Sequence, residues 1–133
     1  FMAELLESER LRIGKHLTGT VTYHDPERLA RDLKETEPAR IIIRAMAAPW
    51  KEIFLHNANT RSCGNDVVRA YSPKIIEMTG RLRMDDALRT GATLLITASP
   101  SDKDILSAVK EPMMRVEDIF VLLDDCTAEE AST

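Results

Sequence analysis

The sequence predicts a single α/β domain, an open and mostly parallel sheet flanked by helices. Three observations carry this expectation. Short β-rich runs alternate with helical runs, the order that selects a parallel sheet covered by helices. The run "ATLLITA" (92 to 98) is apolar without alternation, as a strand buried on both faces must be. Asp25-Pro26 and Ser72-Pro73 mark helix starts, where a proline at the first helical position loses no hydrogen bond.

In chain order, residues 3 to 16 read as a charged helical lead-in closed near Gly14. "GTVTYHD" supplies the first strand, with Val21 and Tyr23 among β-favouring threonines, and Asp25-Pro26 stops it. Asp25 is expected to cap a short helix that reaches about Glu35. Thr36 and Pro38 restart a second helical run carrying Ala39, Ile42, Ile43 and Met46, and Pro49 ends it. "WKEIFLHN" (50 to 57) is expected as the second strand, with Ile53 and Leu55 on one face and Phe54 on the other. The longest helix follows Ser72-Pro73 and runs to about Thr90, with Gly91 as its stop. Gly80 inside it costs about 1 kcal/mol of helix propensity relative to alanine, and a close approach of helix to sheet would explain it. Ile75, Ile76, Met84, Met113 and Met114 are assigned to the core, and Arg81, Arg83 and Arg89 to a solvated helix face. After "ATLLITA", "SPSDKDILSAVKE" starts a helix for which Ser101 and Asp104 offer a capping box. Val116 to Leu123 closes the domain as a strand or helix at the sheet edge. The domain is expected over residues 19–124, with 1–18 as lead-in and 125–133 as a polar, frayed tail in which Cys126 is incidental.

Composition excludes several classes. The 133 residues are 44% hydrophobic and 30% charged, ordinary for a globular domain and long enough for a core without staples. The net charge of −4, with the two signs interspersed, leaves no electrostatic footprint for nucleic acid. The sequence has no apolar run of about 18 residues or more that could span a membrane, and nothing at its start reads as a signal peptide. The two cysteines, Cys63 and Cys126, are too few and too far apart for a disulfide framework, which points to a reducing cytoplasm. The start at Phe1-Met2-Ala3 has the character of a fragment edge.

In an open parallel sheet, the loops leaving the carboxyl ends of the strands share one edge, where ligands bind. Three loops converge there: His24-Asp25-Pro26-Glu27, His56 to Gly64 with Cys63 inside it, and Ala98 to Asp102. Together "VTYHDPE", "EPARIIIRAM", "SCG" and "GATLLITASPSD" resemble the cysteine-rich CCG domain of iron-sulfur oxidoreductase subunits. That family includes heterodisulfide reductase, the iron-sulfur subunit of glycolate oxidase and anaerobic glycerol-3-phosphate dehydrogenase. The resemblance extends over roughly residues 19 to 124.

Members of the family read Y-H-D-P-C, then Cys-Cys-Gly, then T-A-C-P-x-C, with spacings that this chain keeps. The resemblance places the first cysteine at Glu27, the double cysteine at Ser62 and Cys63, and the last pair at Ser99 and Asp102. His24, Asp25, Pro26, Gly64 and Pro100 stand as the surrounding framework. In intact relatives these cysteines hold a [4Fe–4S]-type cluster, and such clusters need thiolates from several positions. Here only Cys63 remains, among harder oxygen donors. The resemblance therefore implies no cofactor in this form, with Cys63 a metal ligand only if a cluster binds. It implies an electron-transfer module beside other subunits or domains of a redox complex, reduced here to scaffolding or docking. The altered positions also have a structural reading, since Glu27 and Asp102 would each lie in the first turn of a helix, where the dipole favours a carboxylate.

The residues alone leave an alternative: a stand-alone enzyme pairing Cys63 with His24 or His56 as a thiol nucleophile, with Asp25 orienting a histidine. Within the resemblance, His24 instead belongs to the Y-H-D-P framework and donates to nearby backbone. His16, on the lead-in, is expected to be solvated. A glycine-rich phosphate cradle is absent, since Gly64 stands alone before Asn65-Asp66.

Overall fold

The structure, a computed structural model, describes residues 3–4, 13–14, 16–17, 19–46, 50–63, 71–109 and 114–131. Among these, three strands form one parallel sheet in the order β1 (Val21–His24), β2 (Leu94–Thr97), β3 (Arg115–Asp118). Val21 pairs with Leu94 and Leu94 with Arg115, so the three strands end together at His24, Thr97 and Asp118. The helices are α1 (Glu37–Met46), α2 (Pro73–Leu88), α3 (Pro100–Ala108) and α4 (Ile119–Ala131), with a π-helical turn at Arg28–Asp32 and a 3-10 turn at Asn57–Asn59. The expected open parallel α/β architecture is what the chain adopts.

Strand alternation divides the core into two layers. Val21, Tyr23, Leu94 and Ile96 pack against Ile42, Ile43 and Met46 of α1 and Ile119, Leu122 and Leu123 of α4. Leu95 and Val116 point the other way, into Ile76, Met84 and Ala87 of α2 and Ile105 and Leu106 of α3. Because β2 is central and covered on both faces, all four of its residues are buried, as its unbroken apolar run requires.

Several local expectations change. The strand expected over 50–57 contracts to one bridge, Val21 to Trp50, with Lys51 N–H donating to the Val21 carbonyl at 3.0 Å. Beyond it, Leu55 and Asn57 adopt φ of 55° and 54°, and the carbonyls of Phe54 and Leu55 are taken by a side chain instead of a sheet ladder. That side chain is Arg83, which is fully buried and not on a solvated face. Ile75, assigned to the core, is half exposed, whereas Ile76, Met84 and Met114 are buried. Met113, Pro49 and most of the lead-in helix lie outside the described residues.

Gly80 does mark a close approach, but to α3 and not to the sheet. A Cβ there would sit 3.1 Å from Ile105 Cγ2 and 3.4 Å from Val109 Cγ2. Gly91, at φ 79°, terminates α2 in the left-handed conformation that glycine reaches without strain. At the other end of the chain, the helix α4 continues through the segment expected as a tail, and Cys126 is buried in the core beside Leu122 and Leu123.

Candidate functional site

The site lies where the strands end. His24, the last residue of β1, projects to the α2/α3 side of the sheet, because Tyr23 before it faces α1 and α4. After β2, the chain turns into α3 with Ser99 as N-cap, its Oγ accepting from Asp102 N–H at 3.3 Å. The S-x-x-D capping pair is thus Ser99 and Asp102, and not the pair Ser101 and Asp104 expected from sequence. This cap fixes Asp102 in the first turn, aimed at the sheet. Its carboxylate accepts from two buried groups: the Cys63 thiol at 3.3 Å on Oδ1 and His24 Nε2 at 3.2 Å on Oδ2.

Arg83 decides the protonation of this cluster. Its Nε–H donates to His24 Nδ1 at 2.8 Å, so Nδ1 must carry the lone pair. The imidazole is therefore the neutral Nε2–H tautomer, and Nε2–H donates to Asp102. Burial pushes the His24 pKa below its usual value; the Asp102 hydrogen bond opposes this and the Arg83 charge adds to it. The remaining guanidinium nitrogens hold the irregular loop: NH1 donates to the Phe54 carbonyl at 2.6 Å and NH2 to the Leu55 carbonyl at 3.0 Å and Thr60 Oγ1 at 3.1 Å. Asp86, one turn along α2 and also buried, lies 3.4 Å from NH1 and balances the charge.

A second buried pair stands beneath it. Arg40 of α1 grips Asp25 bidentately at 2.8 and 2.7 Å and also reaches Glu52 at 2.9 Å. Asp25 further accepts from Asn57 N–H at 2.7 Å, while its carbonyl accepts from Thr60 Oγ1 at 2.8 Å. Asp25 is thus not a helix cap or a histidine-orienting group. It fastens the loop after Trp50 to the end of β1, with Thr60 joining the Asp25 and Arg83 networks.

Of the sequence-derived positions, Cys63 and Asp102 meet directly, and Ser99 touches Asp102 through its cap. Glu27 turns outward to an exposed ion pair with Arg31. Ser62 is half-buried and Pro100 exposed, Pro26 is buried, and Gly64 lies outside the described residues. His24 does not donate to backbone, as its framework role implied. His56 is exposed, with its nitrogens on the Ile53 carbonyl at 2.8 Å and Glu52 at 3.2 Å. His16 is exposed as expected. Sequence reasoning missed Arg83 and Arg40. Arg83 carried a signal, because it falls with Ile76, Gly80 and Ala87 on one helical stripe of α2, and all four are buried.

The ligating atoms of His24, Cys63 and Asp102 lie within 4.8 Å of one another, the spacing of a metal site. Their chemistry does not fit an iron-sulfur cluster. One sulfur is present, and burial, followed by the Asp102 carboxylate, pushes the thiol well above the ordinary thiol range. His24 has no lone pair facing the cluster, since Arg83 occupies the Nδ1 one and Nε2 bears the proton. The same features oppose a nucleophilic role, which needs a lowered thiol pKa and a base in contact with sulfur.

Among known proteins, the chain is similar to a subunit of the dihydromethanophenazine:CoB–CoM heterodisulfide reductase from Methanosarcina barkeri, 31% identical over 129 residues, which cover 92% of this chain and 31% of the relative. The corresponding protein of Methanosarcina acetivorans is 30% identical over 128 residues, again 92% of this chain and 31% of the relative. A probable membrane-anchored ferredoxin of Chromohalobacter salexigens is 29% identical over 117 residues, 84% of this chain and 17% of the relative. The chain thus spans 31% of the length of the heterodisulfide reductase subunits it matches. No family model matches, and no solved structure matches. Among the described residues, no helix is long and apolar enough to cross a membrane.

Proposed function

We propose that this chain is a domain of an iron-sulfur oxidoreductase, of the electron-transfer subunit type found in heterodisulfide reductase and the glycolate oxidase iron-sulfur subunit. In this form its cluster edge has become a protein-only hydrogen-bond network, and the domain acts as a scaffold or docking module for other subunits or domains of a redox complex. The observation that carries this reading is the contact between Cys63 and Asp102. Two positions that the resemblance to the cysteine-rich CCG domain assigns to cluster ligands are joined to each other at 3.3 Å, in the space between the loops. The relatives support the oxidoreductase context, two of them being heterodisulfide reductase subunits and one a ferredoxin by name.

The substitutions are self-consistent as structure. Asp102 accepts from Cys63 and His24, Ser99 caps the helix that presents Asp102, and Glu27 pairs on the surface with Arg31. On this reading each stands where a soft ligand would be and has a partner inside the protein, so the edge can be held without iron or sulfide.

Anaerobic reconstitution with iron and sulfide tests this. The chain as it stands is expected to take up no stoichiometric iron and to show no broad visible absorption. A variant with cysteine at Glu27, Ser62, Ser99 and Asp102 is expected to gain both. Stoichiometric iron and sulfide in the unaltered chain would overturn the reading.

A further inference from the structure

We propose that a cleft between α1 and α4 binds a small apolar molecule that carries one ammonium group. The cleft opens where the strands end and measures about 360 Å³. Ala98 and Ile119, which directly follow β2 and β3, line it from the sheet end; Ala39 and Ile42 line it from α1, and half-exposed Phe120 from α4. Ligands of open parallel sheets bind at this carboxyl edge, in apolar clefts of a few hundred cubic ångströms. The volume is that of a cube roughly 7 Å on a side, too narrow for a partner helix about 10 Å across. Two alanines keep the space open. α1 otherwise turns Ile42, Ile43 and Met46 to the core, and a larger side chain at Ala39 or Ala98 would fill the cleft. Interiors ordinarily leave few voids larger than a water molecule, so an apolar space of this size is a place for an apolar guest.

The remaining wall is irregular. Leu29 belongs to the π-helical turn Arg28–Asp32, and Lys34 follows at φ 55°, which brings Glu35 N–H back to the Leu29 carbonyl at 2.9 Å. A π-helical turn and a left-handed residue other than glycine both cost energy, and such local strain gathers at binding sites. Glu35 then gives the ligand its charge. Among the described residues that line the cleft it is the one that is ionised, and its exposed carboxylate has no hydrogen-bond or ion-pair partner among the described residues. Glu27 and Glu37, to either side of it in sequence, are held by Arg31 and Arg44. An apolar body in the cleft with an ammonium at its mouth matches walls and charge together, whereas a carboxylate there would be repelled. The lining residues Ala39, Ile42 and Ile119 belong to the core layer across the sheet from Cys63, so this site does not depend on whether the other side holds a cluster.

Three probes with one apolar body read the outcome: phenylbutylamine, phenylbutanol and phenylbutanoate, titrated while the methyl signals of Ile42 and Ile119 are followed by NMR. Phenylbutylamine is expected to shift both methyls saturably, with a dissociation constant of about 1 mM or below. It should bind at least about threefold more tightly than phenylbutanoate, with phenylbutanol between them. Glu35→Gln should erase the difference between amine and carboxylate and leave the alcohol unchanged. Ala98→Leu should weaken all three by at least about tenfold in a chain whose circular dichroism is unaltered. Glu35 is exposed, so its variant reads the site even where Ala98→Leu unsettles the fold. Absence of a saturable shift at about 10 mM phenylbutylamine overturns the proposal, even if this surface is then found to bind a protein. So does phenylbutanoate binding as tightly as the amine, an amine preference that survives Glu35→Gln, or binding indifferent to Ala98→Leu in the folded chain.

Discussion

Replacing Arg83 by methionine keeps the aliphatic stem and removes the charged head. The variant leaves His24 Nδ1, the Phe54 and Leu55 carbonyls and Thr60 Oγ1 without the donor that serves them, and removes the counter-charge 3.4 Å from buried Asp86. Breaking a buried pair from one side costs about 3–5 kcal/mol, because the partner stays behind uncompensated. Arg61, 3.4 Å from Asp86, softens that part of the loss. Each abandoned acceptor adds about 1–3 kcal/mol where water cannot replace the donor. Phe54 and Leu55 lie on an exposed loop that can rehydrate, so the acceptor costs are discounted and the expectation is set near the broken pair's own cost, about 3–5 kcal/mol. For a domain stable by about 5–15 kcal/mol this is a large fraction, and urea unfolding followed by circular dichroism would show it as a collapse of the midpoint at similar slope. Arg89→Met, on the exposed end of α2, serves as control and should move stability by under about 0.5 kcal/mol. A loss below about 1 kcal/mol for Arg83→Met would refute the reasoning, since a guanidinium so placed cannot be both the organiser of the loop and dispensable.

Two further predictions concern titration. His24 resists protonation in the fold, so below its unfolded pKa of about 6.5 the unfolded chain takes up a proton that the native one refuses; stability should fall with acid, by up to about 1.4 kcal/mol per pH unit. Long-range ¹H–¹⁵N spectra should show His24 Nδ1 as the unprotonated nitrogen throughout, and a ring that titrates near 6.5 with Nδ1 protonated would contradict the hydrogen-bond assignment. The Cys63 thiol, raised by burial and by Asp102, should react with iodoacetamide far more slowly at pH 8.5 than the same thiol in urea, where it ionises near about 8.5. Mass spectrometry of Cys63 peptides reads the two rates, and equal rates would show that the thiol is neither buried nor held by Asp102.

The fold was legible where period and punctuation agreed. The run from Leu94 to Thr97 could be nothing but a covered strand, and Pro73, Gly91 and the pair Thr36 and Pro38 marked helix ends that the structure reproduces closely. The stretch after Trp50 was not legible, because its alternation of apolar residues describes a strand equally well. What breaks the ladder is Arg83, 29 residues beyond the Phe54 carbonyl it binds. A long-range side-chain donor that competes for backbone carbonyls leaves no trace in the local pattern. The same holds for Asp25, whose place before a proline reads as a cap until Arg40 claims its carboxylate.

α2 shows the limit from the other direction. Its two stripes have the same helical spacing, and the one with more apolar surface, Ile75, Met78 and Leu82, is the one turned outward. The inward stripe contains a glycine and an arginine, which hydrophobicity alone would send to solvent. Both are there because of what they meet. Gly80 admits Ile105 to within 3.1 Å of where a Cβ would stand, and Arg83 is long enough to cross from the helix to the end of β1. A helix that yields its better apolar face in order to place one guanidinium beside His24 needs a gain at the sheet end, and the network of His24, Asp102, Cys63, Thr60 and the two loop carbonyls supplies it. An edge held around arginine in this way is ordered by protons and charge, so its integrity should follow pH and be indifferent to iron, sulfide and redox potential.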